Sequence, residues 1–362
     1  MAVPVVYSLA RQYPDVRITV LSRPYARTFF EDLAPNVNFM EADLKQDYRG
    51  VKGLNRLYRR LVAKQFTAVA DLHAVLRSEY LRLRFNLGRF SVAHIRKHRK
   101  QRRHLIARES KKVREPLPTP FENYMNVFER LGYPIERITF RSIFDGEEAG
   151  RSESSGNAED TSAAGRGNLN LLPRAVGCKR SWEQWIGIAP FAAHPGKVYP
   201  PELMKQVIGQ LIAKYPKARI FLFGRGKQED EAFSRWVESM PQCLYVGKHL
   251  ETMHQELILM SHLDVMISMD SANMHMASLT ATPVVSIWGA THPLAGFMGW
   301  NQSEANAIQL DMPCRPCSIY GQKPCKRGDY QCLHGIAPSV VVEKVEKILG
   351  PADKQQVSNP AQ

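Results

Sequence analysis

At 362 residues and 44% hydrophobic content, the chain is long enough for two globular domains, each with its own core. It has no run of the roughly 18 apolar residues that span a bilayer, and Met1-Ala-Val-Pro-Val-Val-Tyr-Ser8 lacks the charged start and long apolar core of a signal peptide, so a cytoplasmic protein is expected. A formal charge of +14 calls for an anionic partner and by itself leaves nucleic acid, anionic lipid and phosphorylated sugar open.

In chain order, residues 17–21 and 66–70 read as short strands around a helical stretch over 53–64, the alternation of an α/β domain. Basic residues then crowd into His94-Ile-Arg-Lys-His-Arg-Lys-Gln-Arg-Arg-His104, with Arg96, Arg99, Arg102 and Arg103 foremost, and continue to Lys111, Lys112 and Arg114 against Glu109 alone. The run is either a solvated helix face or a surface for phosphates on a membrane or RNA. It has no aromatic residue, which argues against stacking on single-stranded nucleic acid. Residues 119–131 form an amphipathic pattern with Pro120 just inside its start and Gly132 just past its end, the punctuation of a helix. From 146 to about 167 the composition shifts to Gly, Ser, Ala and Glu, and a flexible insertion or linker reaching about 175 is expected. Domains are therefore placed at 1–177 and 178–339, with 340–362 as a helix and tail, the helix packing back on the first domain.

Beyond Cys178 the alternation is cleaner. Strands are predicted at 185–189, 219–223, 244–246, 265–269 and 283–288, with helices at 202–214, 229–240 and 252–261 and a last helix at 340–349. Such a series predicts a parallel, doubly wound sheet. Ser8-Leu-Ala-Arg-Gln-Tyr-Pro-Asp-Val-Arg-Ile-Thr-Val-Leu21 is echoed by Gln210-Leu-Ile-Ala-Lys-Tyr-Pro-Lys-Ala-Arg-Ile-Phe-Leu-Phe223, each a helix, a Tyr-Pro turn and a strand. Two similar halves facing across a cleft follow. The second copy has a strand before its helix and the first has none, so a truncated amino terminus and unpaired strand edges in the first half are expected.

The chemistry concentrates where strands hand over to helices. Asp270-Ser-Ala-Asn-Met-His275 follows an apolar strand and opens a helix, where Asp270 reads as an N-cap. The free amides behind Ser271 and Ala272 suit a diphosphate, and His275 lies one turn on. Lys197, in His194-Pro-Gly-Lys197, stands at the mouth of another strand, where an ammonium can neutralise a departing phosphate. Gly224-Arg-Gly226 ends a third strand and permits close backbone approach. Cys314, Cys317, Cys325 and Cys332 have the spacing C-x2-C-x7-C-x6-C, open to a zinc site or to reduced structural thiols.

Lys197 with Tyr199-Pro200, the strand end Phe221-Leu-Phe-Gly224, Asp270-Ser-Ala-Asn-Met-His275, Pro283-Val-Val-Ser-Ile-Trp-Gly289 with Thr291 and Pro293, and the Cys-rich tail together resemble the family 9 glycosyltransferases, the ADP-heptose:lipopolysaccharide heptosyltransferases. Asp71-Leu-His-Ala-Val-Leu-Arg-Ser78 and Phe121-Glu-Asn-Tyr124 match that family less specifically. The resemblance implies a GT-B fold of two Rossmann-like domains and metal-independent inverting transfer from ADP-heptose to a lipopolysaccharide core or lipid A acceptor, with no cofactor. It further implies that Asp270, Ser271 and Ala272 contact the donor phosphates, that Lys197 stabilises the leaving diphosphate and that His275 supports the site. Arg96, Arg99, Arg102 and Arg103 would meet acceptor phosphates, with peripheral contact to an anionic membrane at the inner face and no nucleic acid.

Two departures stand out. Arg225-Gly-Lys-Gln228 precedes Glu229 where relatives place a ribose-binding Glu nearer the strand-end Gly, and the family's general-base Asp precedes the segment matching Val3-Pro-Val-Val6. Impaired transfer is therefore expected: no convincing substitute for the base is visible, and Asp71 and His73, which end a strand, have only their position in their favour. Two alternatives stay open: a catalytically dead relative acting as a binding protein, and a basic nucleic-acid-binding protein whose four cysteines hold zinc.

Overall fold

In the computed structural model, residues 1–145 and 165–351 are described, so most of the predicted insertion lies outside the described residues. In the first half, α1 (Val3–Gln12) precedes β1 (Ile18–Ser22) and β2 (Val37–Glu41), which pair in parallel with Ile18 opposite Val37. After α2 (Gly50–Val62) come β3 (Ala68–Asp71), α3 (Leu76–Leu87) and β4 (Ser91–His94), and β3 pairs β4 in parallel. β1–β2 and β3–β4 are separate two-stranded sheets. They share their flanking layers: Val5 and Leu9 of α1, with Phe121 and Phe128 further on, pack near Ile18 and Ala70, while Leu57, Leu61 and Phe85 pack near Leu21, Met40, Val69 and Val92.

The basic run forms helix only over α4 (Arg99–Leu105). It is followed by α5 (Pro120–Arg130), which begins as the sequence predicts: Thr119 accepts from the Glu122 amide, and the Glu122 carboxylate accepts from the Thr119 amide. Residues 165–176 lie on the second half, with the Gly167 amide donating to Ser261 Oγ at 3.0 Å and Val176 buried.

The second half is one six-stranded parallel sheet, in order β10–β9–β8–β5–β6–β7. Its strands are β5 (Trp185–Ala189), β6 (Arg219–Leu222), β7 (Cys243–Tyr245), β8 (Val265–Met269), β9 (Val284–Ile287) and β10 (Ala307–Ile308). The connecting helices are α6 (Pro201–Lys214), α7 (Lys227–Ser239), α8 (Met253–Ser261) and α9 (Ala272–Leu279), and α10 (Gln331–His334) and α11 (Pro338–Leu349) close the chain. Both faces of the sheet are covered, so its strands read as continuous apolar runs. Ile186, Ile188, Ile220, Leu222, Val265 and Ile267 meet α6, α7 and α11 on one face. Trp185, Phe221, Met266 and Val284 meet α8 and α9 on the other.

α11 differs from its expected place. Val341, Val342 and Val345 belong to the core of the second sheet, and Glu346 pairs with Lys214 of α6 at 2.5 Å, because the apolar stripe of α11 complements α6 rather than the first half.

Gly187, in the middle of the central strand, is needed for this packing: a Cβ there would lie 2.5 Å from both Leu263 Cδ1 and Met266 Sδ. Gly187→Ala should lower unfolding stability by about 1–3 kcal/mol through overpacking. Denaturant titration checks this, and an unchanged midpoint would refute it.

Candidate functional site

The order of the second sheet reverses direction between β8 and β5: the chain runs outward from β5 through β6 and β7, then from β8 through β9 and β10. At such a switch point the connections leave on opposite faces and open a crevice at the carboxyl ends of the strands. Lys197 follows β5, in the turn Pro195–Lys197, and Asp270 follows β8 directly. Their side chains meet across the crevice, with Nζ to Oδ2 at 2.8 Å. Asp270 is buried, and among the described residues Lys197 is its sole charged partner.

Three glycines hold the lysine there. A Cβ on Gly321, at φ +79°, would lie 2.6 Å from Lys197 Cγ, so the lysine stem crosses the bare backbone of the Cys-rich segment. Gly196 carries the next contact, its carbonyl accepting from the Ala290 amide at 2.8 Å, and a Cβ on Gly289 would lie 2.7 Å from that oxygen.

The expected N-cap is corrected by one residue. Ser271 is the N-cap of α9, while the Asp270 carboxylate turns to Lys197 instead of the helix amides. Ser271 Oγ lies 3.1 Å from Ser268 Oγ, which leaves the first-turn amides of α9, beginning with exposed Ala272, directed into the crevice. His275 sits one turn along α9, and its Nδ1 is enclosed with no hydrogen-bond partner. Burial, reinforced by the Met1 amino group and Lys197, lowers its pKa to about 3, so the imidazole is neutral at physiological pH. Thr291, four residues beyond β9, is fully buried with its hydroxyl also unpartnered.

Lys197, Asp270, Ser271, Ala272 and His275 are thus brought to one crevice, and Gly224 ends the adjacent strand β6. Gly224 and Gly226 lie at φ +157° and +148°, and Cβ atoms on them would come within 2.9 Å of Glu229 Cγ and 2.8 Å of Glu229 Oε2. Glu229 therefore folds back over the glycine turn, close to where the sequence reading found a glutamate lacking. Its distance along the chain hid it, since the positive-φ turn at Gly224 and Gly226, with no Cβ in the way, lets the Glu229 side chain pack back against the strand end. Arg225 is turned away, donating to Glu256 at 2.8 Å and to the Leu250 carbonyl.

Of the two residues with position alone in their favour as a base, Asp71 is committed elsewhere and His73 is exposed. Asp71 is buried, accepts from the amides of His73 and Ala74 at 2.9 Å each and pairs with Arg82 at 3.0 Å. The basic run divides. Arg102 is half-buried between the halves, its guanidinium over Phe297 and Tyr320 at 5.5 and 5.8 Å from the ring centroids, whereas Arg96, Arg99 and Arg103 are exposed. Arg102 is therefore a bridge between the halves. Lys112 donates to the carbonyls of Pro313, Cys314 and Pro316 at 3.2, 2.8 and 3.0 Å.

Arg315 anchors the same segment, donating to the carbonyls of Trp288, Gly289 and Thr291. Cys314, Cys317, Cys325 and Cys332 are all free thiols, and burial raises the pKa of Cys332 to about 11. Among the described residues, no three His, Cys, Asp or Glu side chains are gathered to hold a metal. The four cysteines accordingly belong to a segment tied down by Lys112 and Arg315.

Residues 54–326 match the family described as glycosyltransferase family 9 (heptosyltransferase). Among solved structures, the chain is similar to the ADP-heptose lps heptosyltransferase II of E. coli, at 18% identity and a TM-score of 0.61 over 96% of this chain and 94% of that one. It is similar to a family 9 glycosyl transferase of Veillonella parvula, at 19% identity and a TM-score of 0.64 over 96% and 92%. An E. coli heptosyltransferase with ADP-2-deoxy-2-fluoro heptose gives 14% identity and a TM-score of 0.61 over 96% of each chain. No curated protein sequence matches. The two α/β halves facing across a crevice are the GT-B arrangement of these structures.

The histidine environment makes stability depend on pH. His275 and His292, with pKa values lowered by burial to about 3 and about 4, stay neutral in the fold while the unfolded imidazoles take up protons below about pH 6.5. Stability is therefore full above about pH 6.5 and falls as pH drops towards 4, by about 1.4 kcal/mol per pH unit for each histidine. Denaturant titrations at pH 7.5 and 5 should show the loss, and His275→Gln should reduce its slope by one proton. An unaltered slope would contradict the enclosed neutral ring.

Proposed function

Because the chain belongs to glycosyltransferase family 9, we propose that it moves heptose from ADP-heptose to a lipopolysaccharide core or lipid A acceptor, with inversion and without a catalytic metal, at the inner face of the cytoplasmic membrane. The observation that carries this reading is the Lys197–Asp270 pair at the switch point, beside the open end of α9. A neighbour bound to an ADP-heptose analogue supports a nucleotide-sugar donor.

In this reading the donor diphosphate lies across the strand ends of β8 and β5, accepting from the first-turn amides of α9 and from the Ser271 hydroxyl. Its negative charge is favoured at that helix end. Asp270 does not touch the phosphates with its carboxylate, which would repel them; it fixes the ammonium of Lys197. As the acceptor hydroxyl attacks the anomeric carbon and the sugar–phosphate bond breaks, charge grows on the leaving ADP, and Lys197 is already in place to meet it. His275, neutral at working pH, offers a ring nitrogen to a donor oxygen without adding charge. Glu229, over the glycine turn of Gly224, is placed to accept from the ribose hydroxyls.

The acceptor hydroxyl must also lose a proton. Asp270 is held by Lys197, and Asp71 by Arg82 and two amides, so neither stands free as the base. Donor binding and transfer therefore have to be measured separately.

A bound donor stabilises the fold by mass action, so ADP and ADP-heptose should raise the melting temperature where UDP-sugars do not, and the shift should vanish in Asp270→Ala. Stabilisation by neither ADP ligand would sink the donor assignment. Where transfer is measurable, Lys197→Ala should lower kcat by about 100-fold. Wild-type kcat in that variant would remove the lysine from its role at the leaving group.

A further inference from the structure

α3 is apolar on two opposite faces. Leu81 and Phe85 turn inward, to the core shared with α2. Leu76, Leu83 and Leu87 lie seven and eleven residues apart, which at 3.6 residues per turn brings them within about 20° of one line along the helix. They face away from that core and are 84%, 57% and 73% exposed. A surface helix normally carries one apolar stripe, and a second, solvent-facing one needs a partner.

α2 adjoins this stripe. Its Asn55 side chain accepts from the Tyr80 hydroxyl at 2.7 Å and from Arg84 at 2.5 Å, and Val51, one turn before Asn55, is 61% exposed. The charge around the stripe has one sign. Lys52, Arg59 and Arg77 are exposed on the two helices, whose one acidic residue, Glu79, lies beside Arg82, while Arg56 and Arg60 turn away from Asn55 to the Asp47 carbonyl and the Tyr48 hydroxyl. At the strand-end edge where α3 begins, Arg23 and Lys97 lie near His73 and add to this charge.

Leucines flanked by arginines fit an anionic bilayer, where side chains enter the boundary between headgroups and acyl chains and guanidinium groups meet phosphates. The same charge opposes a second copy of the chain, because a two-fold contact would set these cations against one another. The aromatic residue nearest the stripe, Tyr80, is half-buried and held by Asn55, so no freely exposed ring is offered to nucleic acid bases. We propose that the outer face of α3, with the cationic rim from α2, docks the protein on an anionic phospholipid membrane. The inference extends the membrane-acceptor reading above by assigning a surface to it, and lipid binding can be measured apart from sugar transfer.

The test is co-sedimentation of the full chain with vesicles of phosphatidylcholine alone and with phosphatidylglycerol added. Wild type should partition at least tenfold more strongly to the anionic vesicles, and added salt should weaken binding. The triple variant Leu76→Ser, Leu83→Ser, Leu87→Ser should lose at least tenfold of that partition while keeping its melting temperature and its response to ADP. Arg59→Gln with Arg77→Gln should lose the preference for anionic lipid. Equal partition of wild type and the triple variant overturns the proposal, as does absence of wild-type binding to either vesicle. A wild-type dimer in sedimentation velocity that the triple variant abolishes would overturn it too, by assigning the stripe to a second copy. Vesicle binding without any ADP response would leave the docking face standing and count against the donor site instead.

Discussion

A carboxylate buried at the edge of a parallel sheet requires a cation, and the pairing of Asp270 with Lys197 ties the rest of the second half to that requirement. The two residues are 73 positions apart in sequence and become neighbours only because β8 lies directly against β5. That adjacency depends on the hydrophobic cover of both sheet faces. It also depends on Gly187, which lets Leu263 and Met266 close over the central strand. The lysine stem in turn depends on the bare backbone of Gly321. A change in any of these positions therefore acts on the ion pair even where it touches neither partner.

The large positive charge is spent in two different ways. Arg102 and Lys112 face inward, to aromatic rings and backbone carbonyls, and with exposed Arg114, which pairs with Asp311, join the first half to the Cys-rich segment of the second, which Arg315 anchors from within. Arginine suits this use because its planar fork can serve several carbonyls at once. The exposed cations on α2, α3 and α4 face solvent. Counting charge from the sequence cannot separate these two groups, since both consist of the same residue types in unbroken basic runs.

Much of the second half was legible in the sequence. Its strands are apolar runs bounded by turn residues, and Trp185–Ala189 and Val265–Met269 stand where the pattern places them. The pairing of Asp270 with Lys197 was not legible: the local pattern offers the aspartate an N-cap role, and only the adjacency of β8 and β5 brings the two side chains together. β2 and β4 were missed: Val37–Glu41 and Ser91–His94 are short and half-polar, and their strand character comes from pairing with β1 and β3. The roles of Asp71, Arg102 and Arg315 depend on contacts across the chain, which no local pattern encodes. α11 was misplaced because its amphipathic stripe identifies a buried face without identifying what buries it.

The neutrality of the Lys197–Asp270 pair bears on how the crevice handles an anion. A free lysine at a sheet edge would gain affinity for phosphate, and would also sample many rotamers and hold the substrate and the departing diphosphate about equally. Fixed by Asp270, it offers part of its charge to a bound donor and more to one whose bridging oxygen is becoming an anion, because the attraction grows with the charge that develops there. The α9 amides act in the same direction. His275 stays uncharged beside them, so the site gains no further cation that would bind product ADP more tightly. Under the proposed function, the arrangement favours the transition state by placement, with its net charge kept low enough for the nucleotide to leave.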